Sequence, residues 1–283
     1  MELVTMKELL TDAQAGHYAV PAFNVCNLET AQGVMEQAEE MKAPVIFQAH
    51  WLEAYYSSPK TLVNMIEELG RGKKVRAAIH LDHGATYEDT VRCVQGGFTS
   101  IMYDGSLLPL DENISNLKKV VEMAQSVGVT VEGEIGTIGQ NDEMGGKLEK
   151  AYLTDPHDAK RLVDETGIDC LAVAIGNAHG FYEMEPKMDF ERLKEITDLV
   201  KIPLVLHGGT GIPCKQIKEA IRMGIAKVNF STILRKNYIS SMYNFMSRNP
   251  EELGLMDIQR VGKESMKEAV KDSILMCMCD SKY

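Results

Sequence analysis

A repeated switch of hydrophobic period constrains this chain more than any other feature. Eight short runs rich in β-branched and small apolar residues occupy 19–25, 45–49, 75–81, 100–104, 130–136, 170–176, 203–208 and 226–231. Longer amphipathic stretches with helical spacing separate them, among them 28–41, 86–95, 110–127, 155–166, 188–200 and 213–223. Asn27 ahead of Leu28-Glu29, and the proline of Ile212-Pro213, are helix start signals. Short apolar runs alternating with helices predict a parallel sheet covered on both faces. Eight such units predict closure into a (β/α)8 TIM barrel of the α/β class. A chain of 283 residues matches one barrel, and no second composition regime appears, so 1–283 is expected to be a single domain.

Two stretches depart from the repeat. Residues 137–153, after the fifth strand, are long, polar and carry Gly139, Gly145 and Gly146. Connections of that length usually act as lids or binding loops. Residues 249–283 carry helical periodicity with no further strand and are expected to form a C-terminal helical extension.

Charge and composition narrow the function. The balance of 30 Lys+Arg against 41 Asp+Glu gives a net charge of −11, which repels a phosphate backbone, so no nucleic-acid partner is expected. Apolar runs such as 168–175, interrupted by Asp169, are too short to span a bilayer. Glu2, Lys7, Glu8 and Asp12 are wrong for a signal peptide, and a cytoplasmic location is expected. The six cysteines form no C-x-x-C pair and read as bystanders, Cys170 as a small buried hydrophobe.

Barrel chemistry sits at strand C-termini. The third strand ends in His80-Leu81-Asp82-His83-Gly84, the sixth in Asn177-Ala178-His179-Gly180, and the seventh in Leu206-His207-Gly208-Gly209. Three imidazoles on one rim can hold a divalent metal, most readily zinc, with a position left open for substrate. Any one of them alone would read as a hydrogen-bonded core histidine. His80, deeper on the face of Asp82, reads as a supporting group. Glu132 and Glu134 share an inward face, where a carboxylate needs a cation; Glu134, nearer the rim, is the candidate metal neighbour, and a salt bridge suits Glu132. Asp82 is a candidate general acid/base. Gly208-Gly209-Thr210-Gly211 and Asn229-Phe230-Ser231-Thr232 stand where this barrel commonly binds phosphate.

Together with Val20-Pro21-Ala22-Phe23-Asn24-Val25, Asn27–Thr30 and Lys227–Asn229, these motifs resemble the class II, metal-dependent ketose-bisphosphate aldolases over nearly the whole chain. The likeness is greatest to the shorter branch with tagatose- and fructose-bisphosphate aldolases. The resemblance implies zinc held by His83, His179 and His207, with Glu134 near an alternative metal position. It makes Asp82 the residue that exchanges a proton with the aldehyde oxygen. Gly180, Gly208, Gly209, Thr210, Asn229, Phe230, Ser231 and Thr232 become the dihydroxyacetone-phosphate site, where some relatives also bind Na+ or K+, and Asn24 is a further substrate-binding residue. A lid acid exchanges the C3 proton, with Asp142 first and Glu143 second. At the distal end, His50 replaces the usual Ser or Thr, and Lys263 aligns with an arginine of relatives.

The expected activity is reversible cleavage of fructose or tagatose 1,6-bisphosphate to dihydroxyacetone phosphate and glyceraldehyde 3-phosphate, in carbohydrate metabolism such as glycolysis, by a homodimer or homotetramer. Alternatives are another dihydroxyacetone-phosphate-type ketose, a dehydro-deoxy-gluconate phosphate, or a non-catalytic aldolase-like subunit. A Schiff-base aldolase would need an inward lysine, and Lys227 is the only good candidate; it reads better as an ion-pair partner of an inward carboxylate. An epimerase acting on a sugar phosphate is a further metal-dependent rival.

Overall fold

The computed structural model describes residues 1–140 and 152–283. Its strands β1 (Val20–Asn24), β2 (Val45–His50), β3 (Arg76–Gly84), β4 (Ser100–Tyr103), β5 (Thr130–Ile135), β6 (Cys170–Val173), β7 (Leu204–Leu206) and β8 (Ile225–Phe230) are all parallel. They pair in the order β3-β2-β1-β8-β7-β6-β5-β4, and pairing of β3 with β4 closes the ring. Each strand falls on one of the eight runs expected from the sequence. Glu2–Leu3 adds alongside the start of β3, and Gly139–Gln140 pairs with Ala178–His179 beyond the ends of β5 and β6.

β6 ends at Val173, short of the expected Gly176, because side-chain bonds replace the ladder there. Asn177 Oδ1 accepts from the Ile175 N–H at 2.9 Å, and its amide donates to the His207 carbonyl at 3.0 Å. That fixes the rim of β6 against the rim of β7.

The helices bury the faces their periodicity predicts. Cys214–Arg222, for example, shields Ile217, Ala220 and Ile221 at i, i+3 and i+4. Asn27 caps the helix Leu28–Met41, its side chain accepting from the Thr30 N–H at 3.1 Å. Three helices were not singled out by the periodicity. Met6–Gly16, capped by Thr5, buries Met6, Leu9, Leu10 and Ala13; Trp51–Ser57 and Pro59–Leu69 lie between β2 and β3.

After β8 come the helices Thr232–Arg248 and Leu255–Met276. Lys263 lies on the second of these. Its Nζ is held by Glu36 of Leu28–Met41 at 2.8 Å, and it does not line the cavity described below. Among the described residues, no helix is long and apolar enough to cross a membrane.

Candidate active site

One cavity of about 420 Å³ opens at the C-terminal rim of the barrel. Asp82 and His83, consecutive on β3, both line it. Strand alternation would send one of them outward. His83 instead adopts φ +50°, and the β3–β4 register shifts between Leu81 and Gly84, turning its ring back over the mouth. A left-handed conformation costs a non-glycine residue about 1–2 kcal/mol, so something must hold it. Asp104, at the end of β4, lies 2.7 Å from His83 Nδ1.

His83, His179 and His207 bring ring nitrogens within 4.8 Å of one another. His83 Nε2 and His207 Nδ1 are 3.0 Å apart, close to the roughly 3.3 Å that two nitrogens span on a tetrahedral zinc. Among the described residues, Glu134 Oε2 is buried with no hydrogen-bond partner, 3.9 Å from His207 Nδ1 and 4.0 Å from His83 Nδ1. A carboxyl oxygen shut away beside converging imidazoles is a partner that a divalent cation would satisfy. The donor set therefore fits a divalent metal, and Asp104, Glu134 and His83 form an adjoining group of similar compactness.

Charge follows the same geometry. Burial alone would depress the His83 imidazole, but Asp82 and Asp104 overcome it and raise the group to about 10. Burial pushes His207 well down, with His83 adding to the effect. Glu134 is driven well up by burial and by Asp104. Burial works against a charge on Asp82, yet His83, His207 and the Lys227 ammonium keep its carboxyl below the ordinary range.

Asp82 also has amide donors on both oxygens. Asn229 approaches Oδ1 at 3.2 Å, while Asn24 and Gln48 approach Oδ2 at 3.3 Å each. Gln48 locks Asn24 through a 2.7 Å bond, and Glu53 accepts from the Asn24 amide at 2.9 Å. An ionised carboxylate at the rim, fixed in direction, is arranged to take a proton from a hydroxyl in the cavity.

Gly180, Gly208, Thr210, Asn229, Ser231 and Thr232 also line the cavity, next to the start of the helix Thr232–Arg248. Gly208 has φ +66°, and a Cβ there would stand 2.1 Å from the Ala178 carbonyl oxygen, so only glycine allows this approach. Two expected members of the wall are not among its lining residues. The Gly209 N–H is spent on the Asn229 carbonyl at 2.9 Å, and Phe230 turns into the core against Phe23. Asp142 and Glu143 lie outside the described residues.

His50 lines the cavity while accepting from the Leu52 N–H through Nδ1 at 3.3 Å. Gln48, Trp51, Asp104 and Arg235 also line it and were not anticipated. Asp104 had a signal, an acid at a strand end; Arg235, inside a helix, had none. Among the described residues, Arg235 is the only lysine or arginine on the cavity wall. Lys227 is absent from that wall, being fully buried with Nζ 2.7 Å from Glu132 Oε2, as the ion-pair reading expects and a Schiff-base role does not.

The family model for class II fructose-bisphosphate aldolases matches residues 4–282. The crystal structure of the YdjI aldolase from Escherichia coli K12 is 34% identical and superposes with a TM-score of 0.87 over 99% of either chain. That of a proposed fructose-1,6-bisphosphate aldolase from Coccidioides immitis is 28% identical, with a TM-score of 0.88 over 98% of this chain and 97% of the other. Fructose-bisphosphate aldolase (Fba) from Campylobacter jejuni, at 24% identity, shares the fold, with a TM-score of 0.84 over 100% of this chain and 97% of that one. A closed eight-stranded barrel with a metal-competent rim, matched from end to end in this way, belongs to the class II fructose-bisphosphate aldolase family, lyases that carry out aldol cleavage.

Proposed function

We propose that the chain is a zinc-dependent ketose-bisphosphate aldolase, a single barrel domain that cleaves fructose or tagatose 1,6-bisphosphate reversibly to dihydroxyacetone phosphate and glyceraldehyde 3-phosphate. The observation that carries this reading is one cavity lined by His83, His179, an amide-held Asp82 and a glycine-lined helix start, with the buried His207 converging on the two rim histidines. His83, His179 and His207 would hold the metal, with Glu134 beside them. Bound there, zinc supplies Lewis-acid polarisation of the ketose carbonyl.

The residues of the chain do the rest. Gly180, Gly208, Thr210, Ser231 and Thr232 receive the C1 phosphate at the start of the helix Thr232–Arg248, where the positive end of the helix dipole favours an anion. Asp82 takes the C4 hydroxyl proton; the new C4 carbonyl forms as the C3–C4 bond breaks, and its electron pair passes to the ketone, giving the enediolate of dihydroxyacetone phosphate. Asp142, or Glu143 in its place, returns a proton to C3. Arg235 supplies positive charge for the distal phosphate. From the family resemblance come three further parts of the proposal: a monovalent cation, Na+ or K+, at the phosphate wall, a cytoplasmic location, and a homodimeric or homotetrameric state.

A second reading, cleavage of a dehydro-deoxy-gluconate phosphate or another ketose phosphate, is favoured by one observation. His50, which replaces the expected hydroxyl, has a ring nitrogen committed to the start of helix Trp51–Ser57. Coupled cleavage assays on both bisphosphates, with EDTA and with zinc added back, separate the readings. Turnover abolished by EDTA and restored by zinc supports the proposal, and the ratio of kcat/KM names the sugar. Zinc-loaded protein that turns over neither sugar favours the second reading; turnover indifferent to EDTA overturns the zinc mechanism.

A further inference from the structure

Beneath the rim histidines lies a charged layer that the aldol chemistry does not use. Lys227 of β8, Glu132 of β5 and His80 of β3 are fully buried in the barrel interior, where branched aliphatic side chains are the rule. Glu132 has a separate partner on each oxygen. Oε2 accepts from Lys227 Nζ at 2.7 Å, and Oε1 stands 2.7 Å from His207 Nε2. His80 Nε2 is 3.5 Å from Oε2, outside hydrogen-bond geometry, while its Nδ1 is 2.9 Å from Ser100 Oγ.

A neutral imidazole has one N–H and one lone pair, and the partner at one nitrogen decides which role falls to the other. An ionised carboxylate only accepts, so His207 must present Nε2–H to Glu132. Its lone pair is then on Nδ1, the nitrogen that faces His83 Nε2 at 3.0 Å and Glu134 Oε2 at 3.9 Å. His83 is the reverse case, with Nδ1 against Asp104 at 2.7 Å and Nε2 turned to the same point. Two histidines thus use opposite nitrogens toward one locus, each set by a carboxylate behind it. Among the described residues, only Glu132 of those two carboxylates is itself anchored by a buried cation.

We propose that Lys227 and Glu132 are positioning residues for metal binding: the ammonium anchors Glu132, and Glu132 holds His207 as its Nε2–H tautomer with Nδ1 as the coordinating nitrogen. This rests on the zinc reading above. Removing the ammonium leaves Glu132 free to turn away from His207, and replacing Glu132 by an amide puts an N–H₂ group against either Lys227 or His207. Loss of such an orienting partner typically weakens metal affinity about 10–100-fold.

The test is zinc affinity, measured by competition with a chromophoric chelator, for the full chain and for Lys227→Met and Glu132→Gln. Thermal unfolding of the metal-free proteins identifies any variant that does not fold. A 10–100-fold loss in folded variants supports the arrangement; affinities within threefold of the unsubstituted protein overturn it. If both variants fail to fold, ¹⁵N NMR of the zinc-loaded unsubstituted protein decides. A proton on His207 Nε2 supports the proposal, and a proton on Nδ1 overturns it. Unsubstituted protein that takes up no zinc would overturn the metal reading itself, an outcome distinct from variants that match a zinc-binding parent.

Discussion

Replacing Gly208 by alanine tests whether backbone crowding builds the glycine-lined wall proposed to receive phosphate. The substitution carries two penalties. Left-handed backbone at φ +66° costs alanine about 1–2 kcal/mol. The added Cβ would also lie 2.1 Å from the Ala178 oxygen, 2.6 Å from its carbonyl carbon and 3.1 Å from the His179 nitrogen. All three are backbone atoms, so no side chain can swing aside, and overpacking of this kind adds about 1–3 kcal/mol. The sum is about 2–5 kcal/mol. Over 283 residues, an unfolding entropy of about 2.1 cal/mol/K per residue makes about 0.6 kcal/mol/K, so Tm should fall by about 3–8 °C. Relief of the clash must move Ala178 and His179, and zinc affinity and kcat/KM should each fall at least about tenfold. Gly128→Ala is the control: φ is +75°, but nothing lies within 4 Å, so only the conformational penalty of about 1–2 kcal/mol, or about 2–3 °C, remains. Thermal unfolding by circular dichroism, chelator competition and the coupled cleavage assay read the three effects. If Gly208→Ala matches Gly128→Ala in Tm and retains its zinc affinity, the crowding account is wrong.

Three further outcomes follow from the site. Asp82→Asn keeps the shape but removes the proton acceptor, so kcat should drop about 10²–10⁴-fold while zinc content stays the same; near-normal kcat would rule Asp82 out as the base. Arg235→Met should raise KM for a bisphosphate about tenfold or more with little change in kcat, and an unchanged KM would remove Arg235 from distal-phosphate recognition. His83 is raised to about 10 from an ordinary 6.5, so its charged form stabilises the metal-free protein fully below pH 6.5 and that contribution is lost as pH climbs through about 10. Zinc must displace this proton, so its affinity should rise about tenfold per pH unit between roughly 6.5 and 9 while the metal-free Tm falls; a flat affinity profile would refute this assignment.

Local pattern was enough for the architecture. Short apolar runs and helical stretches are written within windows of about a dozen residues, and eight of them in alternation leave little choice but a closed parallel barrel. The same windows exposed His83, His179, His207 and Asp82, because strand ends are recognisable and polar residues there are conspicuous. Window reading could not see that Asp82 and His83 share a side, since that depends on one left-handed residue and a register shift. Nor could it see that Phe230 packs on Phe23 or that Lys263 is drawn to Glu36, because both contacts join distant segments. Arg235 carried no mark at all: in a helix, only the packing of that helix decides which cavity a side chain reaches.

The sequence by itself therefore determined the barrel and the donor types at its rim. Tertiary structure decided which donors meet. Asn229 and Asp82 touch across 147 residues, and Lys227 reaches Glu132 across 95. Such contacts exist only once the ring closes, because ring closure sets the spacing and direction of every strand end, and no local pattern encodes a distance between two segments that far apart in the chain.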